Sequence, residues 1–175
     1  MIRAERLTVE LPVVLSLGSN LGDREETIRD AVAAISALSG VRAVAASGLV
    51  ETPALKPDGV DEDAPAYLNA ILTIRTRLAP EQLLDATSAI ELEHGRTRSE
   101  RWGDRTLDID IVSWGGLTLE SDRLTLPHPR AAQRAFVLAP WLEVAPQAKL
   151  AGEGVADLLA ATGDTVRPYP AEPLL

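Results

Sequence analysis

The chain of 175 residues contains no cysteine. This absence excludes disulfide bonds and catalysis by a thiolate, and it is typical of a protein from a reducing compartment. Aromatic residues are also scarce, with three tryptophans, two tyrosines and one phenylalanine. So few aromatic side chains argue against the extended base-stacking surface that single-stranded nucleic-acid binders use.

Positive charge and long hydrophobic runs are the other two shortages. The 17 basic residues are outnumbered by 26 acidic ones, which leaves a net charge of −9. Nucleic-acid binders usually carry a basic face, and a membrane helix needs about 20 consecutive apolar residues. The first residues also lack the apolar segment of a signal peptide. We therefore expect a cytoplasmic protein with neither nucleic acid nor membrane as a partner.

The residues that are present describe an ordinary globular protein. Hydrophobic residues make up 46% of the chain and charged residues 25%, close to the average for soluble domains. The length suits one domain with a proper core. We predict a single domain over residues 1–175 and take a monomer as its expected state. Its core covers about residues 13–146, with residues 1–12 and 147–175 as peripheral extensions.

Hydrophobic periodicity and turn residues predict an alternation of strands and helices. Asp23, with Glu26 three residues later, predicts a capped helix start, and Pro80 suits the first position of a second helix. A proline-rich acidic stretch, residues 51–65, is predicted to be a long loop. The predicted strands cover residues 13–18, 41–50, 67–76 and the segment after 105; a hairpin covers 117–126, and helices cover about 130–138 and 155–161.

This order, β-α-β-β-α-β followed by a hairpin and helices, predicts the fold class. Two β-α-β halves on an antiparallel sheet form a ferredoxin-like α+β sandwich. Because that fold supports many unrelated functions, it does not by itself select one.

Asp108 and Asp110 carry the strongest chemical signal. Two residues apart on a strand, they place two carboxylates on one face, with Cα atoms about 7 Å apart. Arg96, Arg98 and Arg105 lie just upstream. Carboxylate oxygens suit Mg²⁺ and guanidinium groups suit phosphates, so the segment is compatible with a Mg²⁺-nucleotide site. A half-exposed strand whose aspartates face water is the alternative.

Several motifs around this segment resemble one family. Residues 101–111 read Arg-Trp-Gly-Asp-Arg-Thr-Leu-Asp-Ile-Asp-Ile, and the chain resembles the 6-hydroxymethyl-7,8-dihydropterin pyrophosphokinases of folate biosynthesis. In that family's signature, proline stands where this chain has Asp104, and leucine stands in place of Ile109. Further matching segments occur in the family's order, at residues 17–22, 67–70, 90–96, 127–130 and 136–140.

The resemblance implies a reaction and a set of site residues. Pyrophosphate would pass from ATP to the hydroxymethyl group of the reduced pterin, releasing AMP. Asp108 and Asp110 would hold two Mg²⁺ ions, and Arg96 and Arg105 would act catalytically on the phosphates. The other residues carried over are Glu91, Arg98, His128 and Arg134 for ATP, and Thr52, Leu55, Asn69, Trp102 and Phe136 for the pterin.

Several of these residues also have a purely structural interpretation. His128 can be held in a proline-rich turn, Phe136 can belong to the core, and Trp102 can anchor a loop. Glu91 can lie on a solvated helix face. Residues 18–20 lack the lysine of a Walker motif, and we expect a tight turn beside the pterin site there.

Two other functions remain open from the residues alone. One is a different Mg²⁺-nucleotide transferase on the same fold, with another acceptor. The other is a regulatory module that binds a small molecule or nucleotide without turnover.

Overall fold

The computed structural model describes residues 9–56, 59–61, 66–95 and 106–175, and within them the side chains of residues 54–56, 60 and 61 are left aside. Within these ranges there are four α-helices: α1 (Arg24–Ser36), α2 (Pro80–Glu93), α3 (Ala135–Val144) and α4 (Val155–Thr162). The strands are β1 (Leu11–Ser19), β2 (Val41–Ala46), β3 (Leu49–Thr52), β4 (Ala54–Lys56), β5 (Gly59–Asp61), β6 (Tyr67–Thr76), β7 (Asp108–Trp114), β8 (Leu119–Glu120), β9 (Thr125–Leu126), β10 (Lys149–Leu150), β11 (Glu153–Gly154) and β12 (Arg167–Tyr169).

The central sheet is antiparallel and has the order β12-β3-β6-β1-β7, with β2 also paired to β6. Strand β1 pairs with β6 along its whole length. Strands β2 and β3 therefore share the opposite edge of β6, which each takes in part. The resulting order of the four main positions, β7, β1, β6 and β2/β3, is that of the predicted ferredoxin-like α+β sandwich, and this prediction is confirmed.

Helices cover both faces of the sheet. On the face that we call the helix face, α1 and α2 contribute Ile28, Val32 and Leu83 to a core with Leu15 and Leu17 of β1. On the opposite face, which we call the site face, α3 and α4 form a second, smaller core. Its main members are Val14, Ile71, Val112, Val137, Leu138, Trp141 and Val155.

The helix starts that the sequence predicts are present. The Asp23 carboxylate accepts a hydrogen bond from the Glu26 N–H at 3.1 Å, and Pro80 is the first residue of α2. The side-chain cap satisfies one of the backbone donors that a helix leaves without an internal partner. None of the helices in the described parts of the chain combines the length and the apolar character that spanning a bilayer requires.

Three predicted segments differ in the structure. The second strand is divided at Ser47, whose hydroxyl accepts the Ile71 N–H at 2.9 Å in place of a backbone carbonyl. The loop over residues 51–65 contains the short β4–β5 hairpin. Helix α3 begins after Arg134 and continues beyond Leu138, although Pro140 lies inside it. Burial of Trp141 on the site face favours this continuation despite the hydrogen bond that proline removes.

The segment that follows residue 146 lies against the main body. Strand β12 pairs with β3 at the edge of the central sheet. Helix α4 packs against α3, and Val155 is fully buried in the second core. This segment therefore contributes to both the sheet and the packing of the site face.

Candidate active site

Strand β7 places the two aspartates on the site face. Its burial alternates: Ile109 and Ile111 are buried in the helix-face core, and Asp108 and Asp110, which alternate with them along the strand, are partly exposed. Because successive strand residues point to opposite faces, both carboxylates project from the site face. The predicted alternation of this strand is confirmed.

The strand register brings a third polar residue onto the same face. Gly18 of β1 is paired with Asp108 on one side and with Asn69 of β6 on the other. With strands about 4.8 Å apart, the Cα atoms of Asp108 and Asn69 are separated by about 10 Å. Asn69 is buried, with 4% of its surface exposed.

Gly18 has a steric role in this row. A Cβ atom at position 18 would lie 2.6 Å from Asn69 Oδ1, which is closer than side chains tolerate. The missing side chain therefore lets the amide of Asn69 lie over β1, towards the aspartates. Because Gly18 and Ser19 belong to β1, the expectation of a tight turn over residues 18–20 is wrong for these two residues.

Thr52 lies beside Asn69 at the end of the β3–β6 ladder. It pairs with Tyr67, two positions before Asn69 on β6, while Val50 pairs with Asn69 itself. Side chains two residues apart on a strand share a face. Thr52 and Asn69 therefore both lie on the site face.

A cationic side chain and an imidazole approach Asp110 from the segment before α3. Arg134 Nη1 lies 3.6 Å from Asp110 Oδ2, and His128 Nε2 lies 4.0 Å from the same oxygen. The Arg134 guanidinium also lies over the Phe136 ring, 5.6 Å from its centroid. His128 and Arg134 thus lie beside one aspartate, and Arg134 connects it to Phe136, which the resemblance assigned to the other substrate.

His128 is held in one orientation, and its surroundings favour the neutral ring. Its backbone N–H donates to the Val112 carbonyl at 2.8 Å, and its Nδ1 accepts from the Arg130 N–H at 3.2 Å. Burial and then the charge of Arg134 lower the pKa of His128 below its ordinary value, against the opposing effect of Asp108. In the neutral ring the proton therefore resides on Nε2, the atom that faces Asp110.

Glu91 lies behind β7, and only 4% of its surface is exposed. Its Oε2 accepts a hydrogen bond from the Ile109 N–H at 2.9 Å, which satisfies a backbone donor at the outer edge of the sheet. The interpretation of Glu91 as part of a solvated helix face is therefore wrong. Its carboxylate fixes the backbone between the two aspartates.

The remaining predicted site residues lie outside this description. Arg96, Arg98, Trp102 and Arg105 belong to the segment 96–105, which is outside the described residues. Leu55 lies on β4, but its side chain is not among those described.

The carboxylate pair fits a divalent cation of the Mg²⁺ type in its chemistry. Both donors are hard oxygens, which Mg²⁺ prefers. Among the described residues, no group of three or more histidine or acidic side chains gathers in a metal-binding arrangement. Asp108 and Asp110 are the pair of described residues that would hold such an ion with hard oxygen ligands.

Sequence reasoning missed the part that Gly18 plays and the burial of Glu91. The signal for Gly18 was available, because a glycine inside a strand pattern indicates close approach of another group. For Glu91 no local signal existed, since an acid near the end of a helix is ordinarily solvated.

Comparison with known proteins identifies a family. The model of the 7,8-dihydro-6-hydroxymethylpterin-pyrophosphokinase family matches residues 14–146. The chain belongs to this family. The matched region contains Asp108, Asp110, Asn69, His128 and Arg134.

Several curated relatives carry the name 2-amino-4-hydroxy-6-hydroxymethyldihydropteridine pyrophosphokinase. The protein from Pseudomonas aeruginosa is 44% identical over 150 residues, which cover 85% of this chain and 90% of the relative. The protein from Methylorubrum extorquens is 42% identical over 146 residues, covering 83% and 90%. This chain is therefore an enzyme of the pyrophosphokinase class in folate biosynthesis.

Similarity to solved structures supports the fold. The wild-type HPPK-DHPS structure from Plasmodium falciparum aligns with a TM-score of 0.65 at 14% identity. The alignment covers 87% of this chain and 41% of that one, so this chain spans less than half of the solved protein. The two chains therefore share the fold despite their low sequence identity.

Proposed function

We propose that this pyrophosphokinase transfers the β,γ-diphosphoryl group of Mg²⁺-ATP to the hydroxymethyl oxygen of 6-hydroxymethyl-7,8-dihydropterin. The observation that carries the proposal is the shared row on the site face, where Gly18 separates Asp108 from Asn69. The acid pair, Asp108 and Asp110, therefore lies within reach of the phosphates of ATP, and the buried amide of Asn69 lies within reach of the pterin bound beside it.

In the pterin half of the site, the Asn69 amide is the specificity group. It offers both a donor and an acceptor, as the edge of a pterin ring requires. Phe136 provides a flat apolar surface, and Thr52 forms part of the wall beside Asn69. Leu55 and Trp102 complete the pterin site in this proposal.

In the nucleotide half, Asp108 and Asp110 would hold two Mg²⁺ ions. When bound, the metal neutralises charge on the triphosphate and orients it for in-line displacement. Arg134, 3.6 Å from Asp110, would bind phosphate oxygens next to the metal ligands. The neutral His128 would donate from Nε2, and Arg96, Arg98 and Arg105 would supply the remaining positive charge. Glu91 would serve the nucleotide half by holding the β7 backbone.

The chemical step is a displacement at the β-phosphorus. The substrate hydroxyl oxygen forms a bond to that atom, the bond to the α,β-bridging oxygen breaks, and AMP leaves while the hydroxyl proton is released. Catalysis rests on positioning and on neutralising phosphate charge, which dominate phosphoryl transfer.

A product assay tests the proposal. Purified enzyme is incubated with Mg²⁺-ATP, with and without the hydroxymethyl pterin, and AMP is resolved from ADP. AMP that forms only with the pterin, and that disappears in Asp108→Asn, is the expected result. The matched control is Asp122→Asn, which changes an exposed acid of the β8–β9 hairpin.

Two other outcomes would contradict the proposal. ADP as the product would indicate an ordinary phosphotransferase that moves a single phosphoryl group. Binding of nucleotide and pterin without turnover would indicate the regulatory module.

We also propose that the enzyme acts as a monomer, which light scattering of the active preparation tests directly.

A further inference from the structure

Arg24 joins two segments that are far apart in the sequence. It is the first residue of α1, and its Nη1 donates to Glu51 Oε2 at 2.9 Å and to the Ala66 carbonyl at 2.8 Å. Glu51 immediately precedes Thr52, and Ala66 immediately precedes Tyr67. Because Thr52 pairs with Tyr67, Arg24 contacts both strands at the end of the β3–β6 ladder. We call the contacts of Arg24 with Glu51 and Ala66 the clasp.

The C-terminal strand completes this clasp. Arg167 of β12 donates to Glu51 Oε1 at 2.9 Å, so the two oxygens of one carboxylate serve two arginines. The Arg24 guanidinium also lies over the Tyr169 ring, 5.7 Å from its centroid. Helix α1, strand β12 and the β3–β6 ladder therefore meet at Arg24 and Glu51.

The position of Arg24 on its helix argues for a specific role. A positive charge in the first turn is electrostatically unfavourable, because the helix dipole is positive at that end. The Arg24 and Glu51 side chains are each only 22% exposed, so their ion pair is less screened than one at the open surface.

The clasp acts on the site from the other side of the sheet. Glu51 points to the helix face, where α1 lies, whereas Thr52 points to the site face. Asn69 projects from β6 two residues beyond Tyr67, also on the site face. Holding the ends of β3 and β6 at a fixed separation therefore fixes the separation of Thr52 and Asn69.

We propose that Arg24 is a positioning residue for the pterin site. This inference rests on the proposed function, since it requires Thr52 and Asn69 to contact the pterin. It predicts a selective effect, because two strands, β6 and β1, separate β3 from the aspartates of β7. Loss of the clasp changes the pterin half of the site and leaves the nucleotide half intact.

The experiment compares Arg24→Met with Arg29→Met. Arg29 lies on the same helix and contacts Glu25 and the carbonyls of Glu172 and Pro173, so its removal costs similar surface contacts away from the ladder. For Arg24→Met, we expect the KM and Kd of the pterin to rise about tenfold, the scale of one lost charge-assisted hydrogen bond. The Kd of a non-hydrolysable ATP analogue should change less than about twofold, as should both constants in Arg29→Met.

A second readout is independent of catalysis. Amide hydrogen exchange at Tyr67 should accelerate in Arg24→Met and not in Arg29→Met, because exchange reports opening of the ladder end. Arg24→Lys, which keeps the charge beside Glu51, should recover part of the pterin affinity. If Arg24→Met fails to fold, Glu51→Gln replaces it, with a smaller change in the same direction expected.

Three outcomes would overturn the inference: unchanged pterin affinity, equal losses of pterin and nucleotide affinity, or equal effects in Arg24→Met and Arg29→Met. Failure of the proposed function is recognised separately, because the wild-type enzyme would then form no pterin-dependent AMP. If the wild type is active and the pterin affinity of Arg24→Met is unchanged, only the proposed role of Arg24 is overturned.

Discussion

The two faces of the central sheet use the same strands for different purposes. On the helix face, β1 contributes Val13, Leu15 and Leu17 to a continuous apolar core. On the site face, the alternating residues are Val14, Ser16 and Gly18, of which only Val14 joins a core. Alternation along one strand thus separates residues that stabilise the fold from residues that form the site. Substitutions on the two faces should therefore have separable effects on stability and activity.

The largest effect is expected from Asp110→Asn on the site face. Loss of one metal-binding carboxylate should lower kcat about a thousandfold, since a bound metal supplies several kcal/mol of transition-state stabilisation. The unfolding free energy should change little, because Asp110 is partly exposed. Steady-state kinetics and urea denaturation measure the two quantities. A loss of unfolding free energy as large as the loss of transition-state stabilisation would contradict separate roles for the two faces.

Leu17→Ala on the helix face should give the opposite result. Leu17 is fully buried, so truncation should lower the unfolding free energy by about 3 kcal/mol. The kcat of the folded fraction should remain within about twofold, in line with the separation of the faces. Leu117→Ala is the control, because Leu117 is 39% exposed. A variant that is stable but inactive would show that the core residue contributes to the site.

Gly18→Ala tests the row that joins the two halves of the site. The added methyl group must displace the Asn69 side chain, whose Oδ1 lies 2.6 Å from the position of the new Cβ. The KM of the pterin should rise about tenfold, or about 1.4 kcal/mol. Gly116→Ala is a matched control, because nothing lies within 4 Å of a Cβ there. An unchanged KM would remove Asn69 from the pterin site.

The smallest expected effect concerns the charge of His128. Because the charge of Arg134 helps to lower the pKa of His128, Arg134→Met should raise that pKa. Arg130→Met should raise it less, since its contribution is the smallest of the causes. NMR titration of the imidazole in metal-free enzyme measures both shifts. A pKa that falls in Arg134→Met would contradict the assigned cause.

The lowered pKa of His128 also determines how stability changes with pH. The folded-state pKa of His128 lies below the ordinary value of 6.5, so the unfolded chain binds the proton first as pH falls. The contribution of His128 to stability is therefore fully present above pH 6.5 and decreases as pH falls towards the folded-state pKa. In the His128→Gln variant, the unfolding free energy should depend less on pH in that interval.

Much of the fold, and the face on which the two aspartates lie, could be predicted where local patterns were strong. The bounds of β6, the Asp23 cap and the Pro80 helix start follow from periodicity and capping chemistry, and the alternation of β7 placed both aspartates on one face. The division of the second strand could not be predicted. It depends on the Ser47 hydroxyl meeting the Ile71 N–H of another strand.

The sequence by itself determined the family, the order of the main elements and the side of β7 on which the acids lie. The family follows from the resemblance of the motifs. The order of the elements and the side of β7 depend on residue spacing along the chain, which strand and helix geometry converts into direction. The tertiary structure alone decided that Glu91 satisfies the β7 backbone, that Gly18 makes room for Asn69 and that Arg24 meets Glu51 and Ala66. Each of these contacts joins residues from different elements, whose approach is set by sheet register and core packing.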